Sequence, residues 1–371
     1  MIHNGGADYH GRLPLHFGDE DLWPLLGLAP EHYFGFRDPH RDDLINLTMA
    51  ATQHCNGGVL TVSQPYAQAI VSDNGGDGLE RVLEHKRQMV FGVSNGINRC
   101  DIDAFHATCT ARSSQALGDV DSLLEAKAQV RHNVQRALGL KIDSDAQVLS
   151  FVGRLAEQKG LDLLSGIVDN GSHSTLEDIL IHHPNSQIII AGPSTSGDRS
   201  ATSLLDAARY LHHRYPGRIA TVCDYISHST ALEIMTASTL FLMPSRFEPG
   251  GITQLEALAV GTPVVGRSVG GIGATITNFN PITGTGTGFL CHDYLAAAFA
   301  NTVHWALETC KDAQAYRSLV EQALQARHSW ADRAPEFLAV MQKIVLGATN
   351  IEQLEFLDSA RRLVERAQVK C

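Results

Sequence analysis

The stretch from Thr239 to Val265 constrains this chain more than any other. Thr239-Leu-Phe-Leu-Met243 is a short unbroken apolar run and reads as a buried strand. A polar turn follows, Pro244 to Gly250. Leu255, Leu258 and Ala259 then recur at helical spacing and give one helix a core face. Thr262-Pro263 ends that helix, and Val264-Val265 begins another strand. The unit is strand, loop, helix, strand.

The polar residues of this unit collect where a ligand could reach them. Glu248 stands in the loop before the helix. Gly250-Gly251-Ile252-Thr253 supply free backbone N–H groups at the helix start, and the glycines allow close approach. Such a terminus suits an anion. Glu256 lies one turn beyond Ile252 and Thr253 and shares their face. The groups match a sugar hydroxyl, a diphosphate and a ribose diol in chain order. A tight turn with a solvated Glu face is the plainer reading. It would suffice for either glutamate alone but not for the whole set.

The remaining chain supplies the frame. Ala146-Gln-Val-Leu-Ser-Phe-Val152 is a second strand of the same kind. Gln187–Ala191, Ile219–Val222, Pro263–Val265 and Thr287–Leu290 supply more, with helical stretches between most of them. Alternating β and α segments imply a parallel sheet covered on both faces, with ligands at the carboxyl ends of its strands. Gly153-Arg154-Leu-Ala-Glu-Gln-Lys159 follows a strand at such an end. Arg154 can hold a phosphate by its planar fork, and Lys159 adds a point charge. An Arg–Glu surface pair and a solvated Lys would be the plain alternative. Residues 1–145 are poorer, with only Gly58–Ser63 and Met89–Ser94 as convincing strands, fewer than a doubly wound half needs. Helices are expected over Asp42–Thr52, 121–140, Leu295–Leu307, Asp312–Ala326 and Ile351–Val369.

Charge and cysteine usage narrow the function. The sequence has 371 residues, enough for two domains at roughly 150 each. Its 29 basic and 40 acidic residues leave a formal charge of −11, which disfavours nucleic acid and anionic membranes as partners. No apolar run approaches ~18 residues, so no membrane span is expected. Met1-Ile-His-Asn-Gly-Gly has no signal-peptide pattern. Seven scattered cysteines without a C-x-x-C motif point to reduced thiols in a cytoplasmic setting and to no zinc knuckle. His182-His183 and His212-His213 read as surface pairs, because no partner stands at metal-ligand spacing.

Pro244-Ser-Arg-Phe-Glu-Pro-Gly-Gly-Ile-Thr-Gln-Leu-Glu-Ala-Leu258 resembles the donor-site motif of bacterial glycogen synthases and plant starch synthases. Gly153-Arg-Leu-Ala-Glu-Gln-Lys-Gly-Leu-Asp162 resembles a second motif of that family, and Ser268-Val-Gly-Gly-Ile272 its second glycine turn. Met1-Ile-His3-Asn4, Val93-Ser-Asn95-Gly-Ile-Asn98 and His328-Ser-Trp330 are similar to further segments. The family usually has Cys at the Gly250 position and no acid at the Glu256 position. Two glutamates spaced as Glu248 and Glu256 are the habit of the broader retaining GT-B transferases.

The resemblance implies an α/β protein of the GT-B fold, with two Rossmann-like domains facing a cleft. The N-terminal one (1–145) would be incomplete, the donor domain would span 146–327, and helices over 328–371 would partly return to the N-terminal domain. The family's early strands and its Lys-x-Gly-Gly-Leu loop have no counterpart, so the chain reads as N-terminally truncated. The implied reaction moves glucose from ADP-glucose to the non-reducing 4-OH of an α-1,4-glucan with retention. Arg154 and Lys159 would hold the diphosphate with the amides of Gly250 to Thr253. Glu248 would orient glucose hydroxyls, Glu256 would hold the ribose, and His3 would line the glucosyl site. Asn95, Gly270 and Gly271 would add donor contacts. The partners are a nucleotide sugar and an α-1,4-glucan; no metal and no cofactor are expected. Another retaining GT-B transferase using a UDP-sugar, or a non-catalytic remnant that binds nucleotide or glucan, stands as the alternative.

Overall fold

The computed structural model describes residues 1–6, 9–55, 57–72, 75–110, 120–168, 173–194 and 197–346. The helix expected over Ile351–Val369 lies outside the described residues. Contacts divide the chain into two units. One runs from Met1 to Asn95 and takes in the stretch from Ala331 onward; the other is Gly96–Trp330.

In the first unit, strand β1 (Arg12–Pro14) pairs antiparallel with β2 (Leu44–Asn46), Leu13 opposite Ile45. Asn46 then caps helix α1 (Leu47–His54), its Oδ1 accepting from the Met49 N–H at 2.9 Å. The helix expected from Asp42 therefore starts five residues later. Strand pairing holds the preceding segment extended, and an asparagine cap sets the helix start. The Asn46 amide also donates to Asp38 Oδ2 at 3.0 Å, beside Arg12 Nε at 2.5 Å. Burial pushes the Asp38 carboxyl up, but hydrogen bonds from Arg12, the His40 amide and Asn46 outweigh it, and its pKa ends below the ordinary value.

Strands β3 (Val59–Thr61) and β4 (Val90–Gly92), both expected from sequence, pair in parallel. Ile2 adds a parallel bridge at Thr61, its N–H donating to Leu60 O at 2.7 Å. The helix Trp330–Leu346 places Val340 against Leu60 and Val93, with Phe91, Phe337 and Ile344 alongside.

The second unit holds a six-stranded, all-parallel sheet. Its strands are β5 (Gln147–Val152), β6 (Ser186–Ala191), β7 (Ile219–Val222), β8 (Leu240–Met243), β9 (Val264–Arg267) and β10 (Gly288–Cys291). Their spatial order is β10-β9-β8-β5-β6-β7. Numbered within the unit, that is the 3-2-1-4-5-6 order of a doubly wound fold, and the order reverses between β5 and β8.

Successive strand residues point to opposite faces. Val148, Ile189, Phe241 and Val264 enter one core, beneath helices α2 (Val120–Ala137), α3 (Thr175–His182) excepted, α5 (His228–Ala237) and α6 (Thr253–Ala259). Leu149, Ile188, Leu242 and Val265 enter the other, beneath α3, α4 (Arg199–Arg214) and α7 (Ala296–Thr309). Both faces are buried, so the strands read as continuous apolar runs rather than alternating ones. Helix α2 falls in the region 1–145 by sequence, yet packs here: Lys127 Nζ donates to Thr236 O at 2.9 Å and to Thr262 Oγ1 at 2.6 Å. Among the described residues no helix is long and apolar enough to cross a membrane.

Candidate active site

The loops after β5 and β8 leave adjacent strands at the point where strand order reverses. Open α/β sheets bind ligands there, because neighbouring loops turn away from each other and leave a crevice. Lys159 comes from the first loop and Glu248 from the second. Lys159 Nζ donates to Glu248 Oε2 at 2.6 Å, and Ser245 Oγ donates to the same oxygen at 3.1 Å. Glu248 is only 6% exposed, so these donors satisfy a carboxylate withdrawn from water.

Gln158 joins the same two loops through the backbone. Its carbonyl accepts from the Arg246 N–H at 3.0 Å, and its Nε2 donates to Phe247 O at 3.1 Å. Exposed Arg154 reaches Gln158 Oε1 from Nη2 at 3.4 Å.

Glycines set how closely these loops approach. Gly160 has φ +67°, and a Cβ there would lie 2.0 Å from Pro244 O. Gly270, at φ +44°, would put one 2.0 Å from Glu248 O, and Gly271 one 1.7 Å from Gly250 O. The Gly271 N–H donates to Glu248 O at 2.8 Å. The glycine turn after β9 thus presses backbone to backbone on the Glu248 loop. Sequence reasoning gave Gly270 and Gly271 donor contacts; the observed contacts of both are with that loop.

The helix start leaves several amides open. The amides of Gly250, Gly251 and Ile252 donate to no backbone carbonyl among the described residues. The Ile252 side chain is 47% exposed at the cap of α6. Gln254, fully buried, braces the turn by donating from Nε2 to Gly250 O at 3.2 Å, while its Oε1 has no partner. Glu256 Oε1 lies 2.9 Å from Nε2 of His228, the first residue of α5.

A second cluster stiffens the strand ends. Arg246 donates from Nε to the Tyr294 hydroxyl at 3.1 Å and from Nη2 to Asp162 Oδ2 at 3.1 Å; that hydroxyl donates to Asp162 Oδ1 at 2.5 Å. The Arg246 and Arg267 guanidiniums face the Tyr294 ring at 4.7 and 4.8 Å. Burial and the Asp162 hydrogen bond push the Tyr294 phenol up to about 12, so it stays protonated and donating at neutral pH.

Ten of the twelve residues expected from sequence lie in the second unit: Arg154, Lys159, Glu248, Gly250, Gly251, Ile252, Thr253, Glu256, Gly270 and Gly271. His3 and Asn95 lie in the first. His3 is exposed and follows the Ile2 bridge. Asn95 is 6% exposed, and its buried Oδ1 has no hydrogen-bond partner among the described residues. Sequence reasoning missed Gln158, Ser245, His228 and the bracing role of Gln254. Gln158 and Gln254 stand beside assigned residues, which was a signal; His228 reaches Glu256 across 28 residues and left none.

Basic groups, amides and a buried carboxylate at the switch point of an α/β sheet are chemically able to hold an anionic, hydroxyl-bearing ligand. Residues 139–324 match the family described as Glycosyl transferases group 1, and the chain belongs to that family. Residues 1–85 match the starch synthase catalytic domain. A glycogen synthase of Exiguobacterium sibiricum is 33% identical over 349 residues, covering 94% of this chain and 66% of that protein. One from Koribacter versatilis is 33% identical over 342 residues, covering 92% and 64%. The chain therefore spans a little under two thirds of the length of these relatives. The catalytic domain of starch synthase IV from Arabidopsis thaliana, solved with ADP and acarbose, superposes with a TM-score of 0.71 at 23% identity. That match covers 92% of this chain and 66% of the other, and it shows the GT-B fold.

Proposed function

We propose that the chain is a glycogen/starch synthase-type glucosyltransferase. It transfers glucose from ADP-glucose to the non-reducing 4-OH of an α-1,4-glucan with retention. The observation that carries this reading is the Lys159–Glu248 pair at the sheet's switch point, beside the open amides before α6.

The hard part of the reaction is charge building on the departing diphosphate. Fixed cations and amides stabilise that charge without reorganising. Arg154 and Lys159 serve as the cations, and Gly250 to Thr253 supply the amides. Glu248, held from one side by Lys159, keeps its other oxygen for glucose hydroxyls. Glu256 takes the ribose, giving up His228 as it does so. The family resemblance implies that the leaving phosphate itself accepts the acceptor's proton, so no protein nucleophile is assigned. Neither metal nor cofactor enters this scheme. Free thiols at Cys55, Cys100, Cys223, Cys291 and Cys310 fit a reducing, cytoplasmic setting.

The test supplies ADP-glucose and a short malto-oligosaccharide to the whole chain. Products longer by single glucose units with α-1,4 linkages by proton NMR are expected. Release of free glucose without lengthening would contradict the reading.

A further inference from the structure

The geometry points to a transition-metal site between α3 and α7, at the end of the sheet opposite the candidate active site. Asp178 and His182 stand one turn apart on α3 and therefore face the same way. His304 comes from the middle of α7. One ligand atom from each of the three lies within 4.8 Å of the others. Asp178 is buried, and its two oxygens are divided: Oδ2 is 2.6 Å from His304 Nε2, and Oδ1 is 3.1 Å from His182 Nδ1, which also lies 2.9 Å from the Asp178 carbonyl oxygen and so leaves Nε2 as the His182 ligand atom. The residues after His182 lead straight into the start of β6, which places the cluster at the amino ends of the strands.

His183 gives the cluster an outer support. The sequence reads His182-His183 as a surface pair, but His183 is 4% exposed and stacks on His304, ring centroids 5.0 Å apart. Its Nε2 lies 2.8 Å from His304 Nδ1. If His304 carries its proton on Nδ1, that N–H donates to His183, and the Nε2 lone pair is free beside Asp178. A ligating imidazole anchored through its second nitrogen is the usual arrangement at protein metal sites. His183 Nδ1, buried with no hydrogen bond, faces Glu308 Oε1 at 3.6 Å.

Two imidazoles and one carboxylate suit Zn²⁺, Co²⁺ or Ni²⁺ and not Ca²⁺ or Mg²⁺, which take oxygen ligands. Ligation uses the Nδ1–H tautomer of His304, with the Nε2 lone pair on the ion in place of the hydrogen bond to Asp178. It bolts α3 to α7 over one face of the sheet, remote from the Lys159–Glu248 loops. A plain hydrogen-bonded cluster is the competing account.

Chelator-treated whole chain is titrated with Co²⁺, and separately with Zn²⁺, by calorimetry. Visible absorbance follows the cobalt, and melting follows both ions. One site per chain, a cobalt band characteristic of low coordination number and a metal-dependent rise in Tm are expected. His304→Ala and Asp178→Asn abolish all three, and His183→Phe weakens binding by ~10–100-fold. The exposed pair His212 and His213 on α4 serves as control: H212Q/H213Q binds as the parent does. If the buried variants fail to fold, exposed His182→Gln decides. Absence of binding in the parent, or unchanged binding in His182→Gln or His304→Ala, overturns the site.

Discussion

Lys159 Nζ lies 2.6 Å from Glu248 Oε2 across 89 residues of sequence. The two side chains meet only because β5 and β8 are neighbours, with Leu149 opposite Leu240. Sequence assigns Lys159 to a diphosphate and Glu248 to a sugar. In the structure each also sets the other's position. A double-mutant cycle of Lys159→Met and Glu248→Gln should give a coupling of about 0.5–3 kcal/mol in denaturant unfolding. Additive effects would mean the pair is incidental.

Lys159→Ala should lower the rate of glucosyl transfer at saturating donor by ~10²–10³-fold, the loss seen when one preorganised group is taken from developing charge. Stability should fall by roughly 1–3 kcal/mol, because Glu248 is left buried with one donor fewer. Single-turnover kinetics and urea unfolding check the two parts. A variant with full turnover removes Lys159 from the site.

Gly271→Ala should displace the Glu248 loop, since its Cβ would meet Gly250 O at 1.7 Å. The cost should be about 1–3 kcal/mol or more, as for other overpacked positions. Gly153→Ala is the control, with its nearest neighbour, the Phe151 ring, at 3.7 Å. Thermal melts of the two variants should separate clearly; equal melting would show that the turn yields.

Much of this was legible in the sequence, and the failures have physical causes. Gln147–Val152 and Leu240–Met243 were readable as strands because burial on both faces makes them unbroken apolar runs. The loops after them were readable as lying together with others at the carboxyl ends of a parallel sheet, because alternating β and α segments imply one. Which loops are neighbours was not readable, since that depends on strand order. The Asp42–Thr52 helix was placed with its start too early because local periodicity does not see Leu44–Asn46 pairing with Arg12–Pro14. His183 was misread for the same reason: its cover comes from α7, more than a hundred residues away.

Lys127 carries a pH prediction. It is 1% exposed; burial, helped by the nearby Arg131 charge, drives its pKa well below 10.5. Between the lowered folded value and 10.5 the unfolded chain binds the extra proton, so stability from this group rises with pH across that window. The slope cannot exceed about 1.4 kcal/mol per pH unit. Urea unfolding of the parent and Lys127→Met at pH 7, 8.5 and 10 (roughly spanning the alkaline window) should show the parent gaining relative to the variant. A pH-independent difference would contradict a neutral amine.

Glu256→Ala should raise the donor KM roughly tenfold and leave kcat unchanged, the pattern of binding lost equally from ground and transition states. His228→Ala should have a smaller effect, because it frees Glu256 from the 2.9 Å contact without removing it. Steady-state kinetics with varied ADP-glucose separates the two constants. A fall in kcat alone would place Glu256 at the reacting centre instead.

The central claim is glucosyl transfer from ADP-glucose, and it is met most directly by counting label. The parent chain and Glu248→Ala are incubated with glycogen and either ADP-glucose or UDP-glucose labelled in the sugar. The account predicts incorporation by the parent from ADP-glucose in excess of UDP-glucose, and none by Glu248→Ala despite an unchanged fold. Incorporation from UDP-glucose alone, or from neither donor by a folded parent, would contradict it.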